Sequence, residues 1–142
     1  MRPSRVAGGA CAVVALVSTS TALAGFSVST ADTLSVSTAV LLAPASPSAS
    51  VTACRPGDSA DVEVTWNTSA SGATDGYLIF RSDGGGPASE VGSVSGRGTT
   101  TFDDDTRPFA TSSTYTVEAT RASWTSAPSA DASVTTPASD CS

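Results

Sequence analysis

Between Ala60 and Trp66 the chain alternates apolar and polar residues with a period of two, and this pattern narrows its folds more than any other feature. Ala60, Val62, Val64 and Trp66 fall on one face; Asp61, Glu63 and Thr65 fall on the other. A strand half-buried in a sheet requires that pattern. The segment from Ser113 to Ala119 alternates as cleanly, around Tyr115 and Val117. Tyr77, Leu78, Ile79, Phe80 and Arg81 form a run with apolar residues on both faces. Turn signals separate these runs: Ser71-Gly72, Asp75-Gly76 and the Gly84-Gly85-Gly86-Pro87 loop. Seven short strands are predicted, near Val51 and over residues 62–66, 77–81, 90–94, 99–102, 114–120 and 131–136. No segment carries helical periodicity with caps. Seven short strands without helices point to an all-β, seven-stranded antiparallel sandwich.

The residues before Val51 read differently. Arg2 and Arg5 precede an apolar stretch over residues 6–17, and Ala22-Leu23-Ala24 follows. A basic head, an apolar core and an A-x-A site form a secretory signal peptide, with the cut expected after Ala24. The alternative is an uncleaved membrane anchor, for which the apolar core falls short of the roughly 20 residues a spanning helix needs. The division expected is a signal peptide over 1–24, a Ser/Thr/Ala-rich leader with a Pro linker over 25–50, and the sandwich over 51–142. The protein is then secreted or held at the cell surface, with no stable membrane span after cleavage.

Composition limits the chemistry. The 142 residues contain no histidine, and the seven Lys-plus-Arg residues are all arginine. Losing Arg2 and Arg5 leaves five against 13 acids, a net charge of −8. Such a surface does not suit nucleic acid, which needs basic patches. Ser-His-Asp, Cys-His and Ser-Lys catalysis all lack a required residue. Zinc would need more Cys and His ligands than the chain holds. We therefore expect no enzyme, no cofactor and no metal. Asp103-Asp104-Asp105 lacks the spaced pattern of a calcium loop and reads as a solvated turn after the fifth strand. Asn67-Thr68-Ser69 matches a glycosylation sequon.

Trp66 at the end of the second strand, Tyr77 opening the third and Tyr115 in the sixth resemble the core markers of fibronectin type III domains. In that family a Leu stands six residues before the sixth-strand Tyr. Phe109 takes that place here, without the Pro and Gly that accompany it in the family's corner motif. The resemblance covers residues 51–137. The layout also resembles exported actinobacterial proteins with one such domain, on Val36-Ser37-Thr38-Ala39, Trp124-Thr125-Ser126-Ala127 and Val134-Thr135-Thr136-Pro137. The leader resembles the start of camelysin-like and TasA-like surface proteins.

With seven strands alternating in direction, the first and last end at the same pole. Cys54, just past the first, and Cys141, just past the last, are then expected to form a disulfide in an oxidising compartment. Cys11 leaves with the signal peptide.

Three side chains are candidates for a binding surface. If Tyr77 and Ile79 face the core, Leu78 and Phe80 face outward, either covered by Arg81, Thr116 or Glu118 stems or by the leader folding back, or free for a partner. Trp124, in the loop between the last two strands, either packs on its hairpin or meets a partner. The reading is a non-catalytic binding module with a protein or polysaccharide partner at the cell surface. The alternative is a fibre or matrix subunit, joined by a strand from residues 33–42 adding to a neighbour's sheet edge.

Overall fold

In the computed structural model, residues 40–56 and 59–139 are described, all within one unit, Thr38–Ser142. The signal peptide, most of the leader and Cys141 lie outside the described residues. Eight strands follow in order: β1 (Ala45–Arg55), β2 (Ser59–Asn67), β3 (Gly76–Asp83), β4 (Ser89–Ser95), β5 (Thr101–Pro108), β6 (Ser112–Arg121), β7 (Trp124–Thr125) and β8 (Ala132–Thr135). No helix occurs among the described residues. Two antiparallel sheets face each other. One has the order β1-β2-β5; in the other β4-β3-β6 continues into β7 and β8, which both pair with β6.

The period-two segments set the core. From β2 come Val62, Val64 and Trp66; from β3, Tyr77 and Ile79; from β6, Tyr115, Val117 and Ala119; all are buried. Trp66 meets Tyr77 edge to face at 5.4 Å, a favoured aromatic geometry. β4 has glycine at the position opposite Ile79. A Cβ on Gly92 would run into the ring of Phe102, which arrives from β5 in the other sheet.

The structure departs from the sequence reading at five points. β1 starts at Ala45, within the segment read as Pro linker, and it contains Cys54. The strand accommodates Ser46-Pro47 through a register shift and a positive φ at Ser46. β5 runs on through Asp103, Asp104 and Asp105, which are not a turn. Backbone pairing with β2 outweighs their low strand propensity. Phe109 is half-buried in the turn after β5, outside the core cluster. Arg81 faces inward, opposite Tyr115, and so is not cover for Leu78 and Phe80. Trp124 begins a two-residue strand of its own.

The sandwich has two distinct poles. At one, β2 ends and β3 begins, β6 turns into β7, and residues 40–44 enter. At the other, Cys54 stands opposite Ala60, and Ser59 stands opposite Pro108. The chain after β8 arrives there too: Thr136 donates from Oγ1 to the Pro108 carbonyl at 2.7 Å, and Ala110 donates its N–H to the Pro137 carbonyl at 2.8 Å.

Candidate functional site

The entry pole is cross-tied by side chains that bond to backbone. Ser69 and Ser71, in the loop after β2, hold the incoming segment at three points. Ser69 donates to the Leu42 carbonyl at 2.5 Å, Leu42 donates its N–H to Ser71 Oγ at 2.8 Å, and Ser71 donates to the Val40 carbonyl at 3.2 Å. Val40 to Leu42, the end of the segment considered for strand donation, is therefore engaged within its own domain.

On the other side Asp75 secures the β6–β7 hairpin. Its carboxylate accepts from Thr120 Oγ1 at 3.2 Å and from the Ala122 N–H at 2.9 Å. Its own N–H donates to the Thr120 carbonyl at 2.9 Å. Arg121 donates to the Ala73 carbonyl at 3.1 Å. Beneath the loop, Arg97 donates to the carbonyls of Ser69 and Ser71 at 2.9 and 3.3 Å. Tyr77 adds a buried tie, accepting from the Ser69 N–H and donating to the Arg97 carbonyl.

Between these ties lies a groove of about 250 Å³, lined by Val40, Leu41, Ser71, Ala73, Arg121 and Trp124. Leu41 also packs on the core. Val40 is 72% exposed and Trp124 67%. With Leu42 they are the exposed large hydrophobic residues among those described. Two of the three thus share one groove. Trp124 lines the groove beside Arg121, its partner across the hairpin.

The other candidates separate from Trp124. Leu78 is half-buried opposite Ser93 and Glu118, and it lines a neighbouring, wider hollow of about 430 Å³ with Asp75, Ser93, Thr120 and Thr125. Phe80 is half-buried opposite Glu90 and Thr116 and lines neither hollow. Arg121 and Val40 were not among the sequence candidates. Arg121 carried a signal, since it stands three positions before Trp124 and a two-residue hairpin turn brings them opposite.

The opposite pole holds a charged network that alternation alone does not reveal. Asp104, turned inward from β5, accepts from Arg81 at 2.6 Å and from the Tyr115 hydroxyl at 2.7 Å. Asp83 accepts from Arg107 at 2.6 Å and from Ser113 at 2.7 Å. Burial opposes ionisation of Asp83, but the Ser113 hydroxyl and the Arg107 and Arg81 charges outweigh it and hold its carboxyl below the ordinary value. Burial, reinforced by the bond to Asp104, pushes the Tyr115 phenol well above its ordinary value. Each acid here has a cation beside it, so the cluster is a structural clamp. Among the described residues no group of His, Cys, Asp and Glu is arranged to hold a metal. No helix among them is long and apolar enough to cross a membrane.

No family model matches the sequence, and no curated protein matches it. Solved structures do resemble it. A Fn3-like protein from Clostridium thermocellum is 23% identical with a TM-score of 0.53, over 70% of this chain and 96% of that one. A fibronectin type III domain of the human KIAA0970 protein is 19% identical with a TM-score of 0.53, over 72% of this chain and 77% of that one. The FN1–FN3 domains of chicken CNTN1 are 20% identical with a TM-score of 0.55, over 66% of this chain and 30% of that one. At this level of identity the likeness shows the fold: a fibronectin type III-like sandwich.

Proposed function

We propose that this chain is an exported, non-catalytic interaction module that engages its partner through the Trp124 groove. One observation carries the reading. A large aromatic and an aliphatic residue stand exposed across a groove whose walls are fastened by hydrogen bonds. Exposed apolar surface of this kind is costly to leave in water and marks contact sites. Fixed walls reduce the ordering cost of binding. The fold supports the reading, because fibronectin type III-like sandwiches often serve as binding modules. The absence of histidine and lysine from the whole chain supports a non-catalytic role.

Export rests on the residues at 1–24. The disulfide between Cys54 and Cys141 belongs to the same proposal. The chain at Pro137 has already reached Pro108, the neighbour of Ser59, which pairs with Arg55 beside Cys54. Cys141 follows Pro137 by four positions in the sequence.

The test is fractionation of the host culture with a photo-cross-linking residue in place of Trp124, and in a second strain in place of Glu63 on the outer face of β2. Intact mass and non-reducing gels follow. The expected result is a protein in the medium or on the cell surface, starting at Gly25 and 2 Da light for one disulfide. A specific adduct should form from position 124 and none from position 63. Detergent-resistant multimers with no adduct at 124 would favour the fibre subunit and overturn the proposal.

A further inference from the structure

Charge around the groove names the class of partner, and this inference rests on the groove being the contact site. The five arginines among the described residues fall into two groups. Arg55 is paired with Asp61 at 2.7 Å, Arg81 with Asp104 at 2.6 Å and Arg107 with Asp83 at 2.6 Å. Arg97 and Arg121 are held only by carbonyl oxygens and, among the described residues, meet no carboxylate. Both stand at the entry pole. Arg121 lines the groove, and Arg97 lies directly beneath its Ser71 wall. Asp75, whose carboxylate accepts from Thr120 and Ala122, lines the neighbouring hollow and not the groove. Among the described residues, the two arginines that meet no carboxylate stand at the pole that carries the groove.

We infer that the groove receives an acidic peptide segment, seating one aliphatic side chain between Trp124 and the Val40–Leu41 wall and one carboxylate on Arg121. Size and chemistry favour a peptide over a glycan. About 250 Å³ suits one large side chain and lies below the range of pockets that enclose larger ligands. A sugar ring would bring several hydroxyls, each costly to bury without a partner. The donors the groove has to spare are the remaining N–H groups of Arg121 and the Trp124 indole N–H. Ser71 Oγ is committed to Leu42 and Val40, and Arg121 Nη1 to Ala73. Beside them lie the apolar side chains of Val40 and Leu41 and the face of the indole, and the fork of the guanidinium matches a carboxylate.

The experiment uses the full chain, labelled with ¹⁵N and titrated with acetyl-Glu-Glu-Leu-Glu-Glu-amide. The readouts are the Trp124 indole and Arg121 amide signals. Three other probes run in parallel: the same peptide with Lys for every Glu, the same peptide with Ser for Leu, and polygalacturonate. Saturable shifts at Trp124 and Arg121 with the acidic Leu peptide are expected. Binding should weaken about tenfold in Arg121→Gln, the scale of losing one charge-assisted bond, and should weaken with added salt. The Ser peptide should bind more weakly. Equal response to the Lys peptide would overturn the acidic partner and leave the groove standing as a contact site. Response to polygalacturonate alone would overturn the peptide class. Silence toward every probe, with the Trp124 indole exposed to a soluble paramagnetic agent, would overturn this inference only; the cross-link at position 124 then decides the broader one. Silence with that indole shielded would mean the chain covers its own groove, and both readings would fall.

Discussion

Asp104 and Tyr115 show how one inward-facing acid can be tolerated in a sandwich. A carboxylate turned toward the interior is costly unless it is paired and hydrogen-bonded. Here Arg81 supplies the charge and the Tyr115 hydroxyl a second donor. Tyr115→Phe keeps the ring in the core and removes that donor. We expect it to cost about 1–3 kcal/mol in chemical denaturation. The network also sets a pH window. The folded-state pKa of Asp83 is depressed, so its contribution is present above its unfolded value, about pH 4, and is lost as pH falls through the lower folded value. The folded-state pKa of Tyr115 is raised. Its contribution is present below about pH 10 and is lost as pH rises through the higher folded value. Denaturation midpoints measured across pH should therefore fall at both ends. The acid-side fall should be shallower in Asp83→Asn, and the alkaline fall shallower in Tyr115→Phe.

At the scale of elements, β4 shows what a strand gives up to let a neighbour in. Gly92 has no side chain, and Phe102 from the opposite sheet occupies the space. Gly92→Ala should destabilise by about 1–3 kcal/mol, the usual cost of overpacking, even though alanine suits a strand better than glycine. A melt that rises on this substitution would contradict the packing. The same element tests what the sequence made legible. β2, β3 and β6 were plain because their alternation reports burial directly: Val62, Val64, Tyr77, Ile79, Tyr115 and Val117 are all in the core. β5 was legible only to Phe102, because three consecutive aspartates look like solvated turn. Their side chains alternate in direction, and only the structure shows that the middle one meets two arginines and a tyrosine. Trp124 was legible as a loop aromatic, but its groove was not. The other wall comes from Val40 and Leu41, more than 80 positions away. Phe109 illustrates the opposite error, since a family position filled by a different residue in a different turn did not bring it into the core.

For the molecule as a whole, the two poles divide the labour. The entry pole presents the groove; the opposite pole holds the charged clamp and receives the chain's last described residues. The proposed disulfide would close a loop of about 87 residues, which chain entropy values at roughly 4–5 kcal/mol. That is a large share of the roughly 5–15 kcal/mol that stabilises a domain. Cys141→Ser should lower the melting temperature by on the order of 10 °C under non-reducing conditions, and Cys54→Ser should match it. Equal melting of wild type and both variants would remove the bond from the account.

The hydrogen bonds that pin Val40 and Leu42 at one pole, and those that pin Thr136 and Pro137 at the other, fix where the chain enters and leaves the sandwich. A pull applied along the chain would therefore run lengthwise, and it would have to slide strands past one another instead of unzipping them a pair at a time. The proposed bond between Cys54 and Cys141 would change that route. Force entering at Val40 would travel the length of β1, cross the sulfur bridge and leave, bypassing every strand from β2 to β8. Drawn between two anchors, the oxidised protein would behave as a short inextensible link, and the reduced one as a spring that can pay out the enclosed chain.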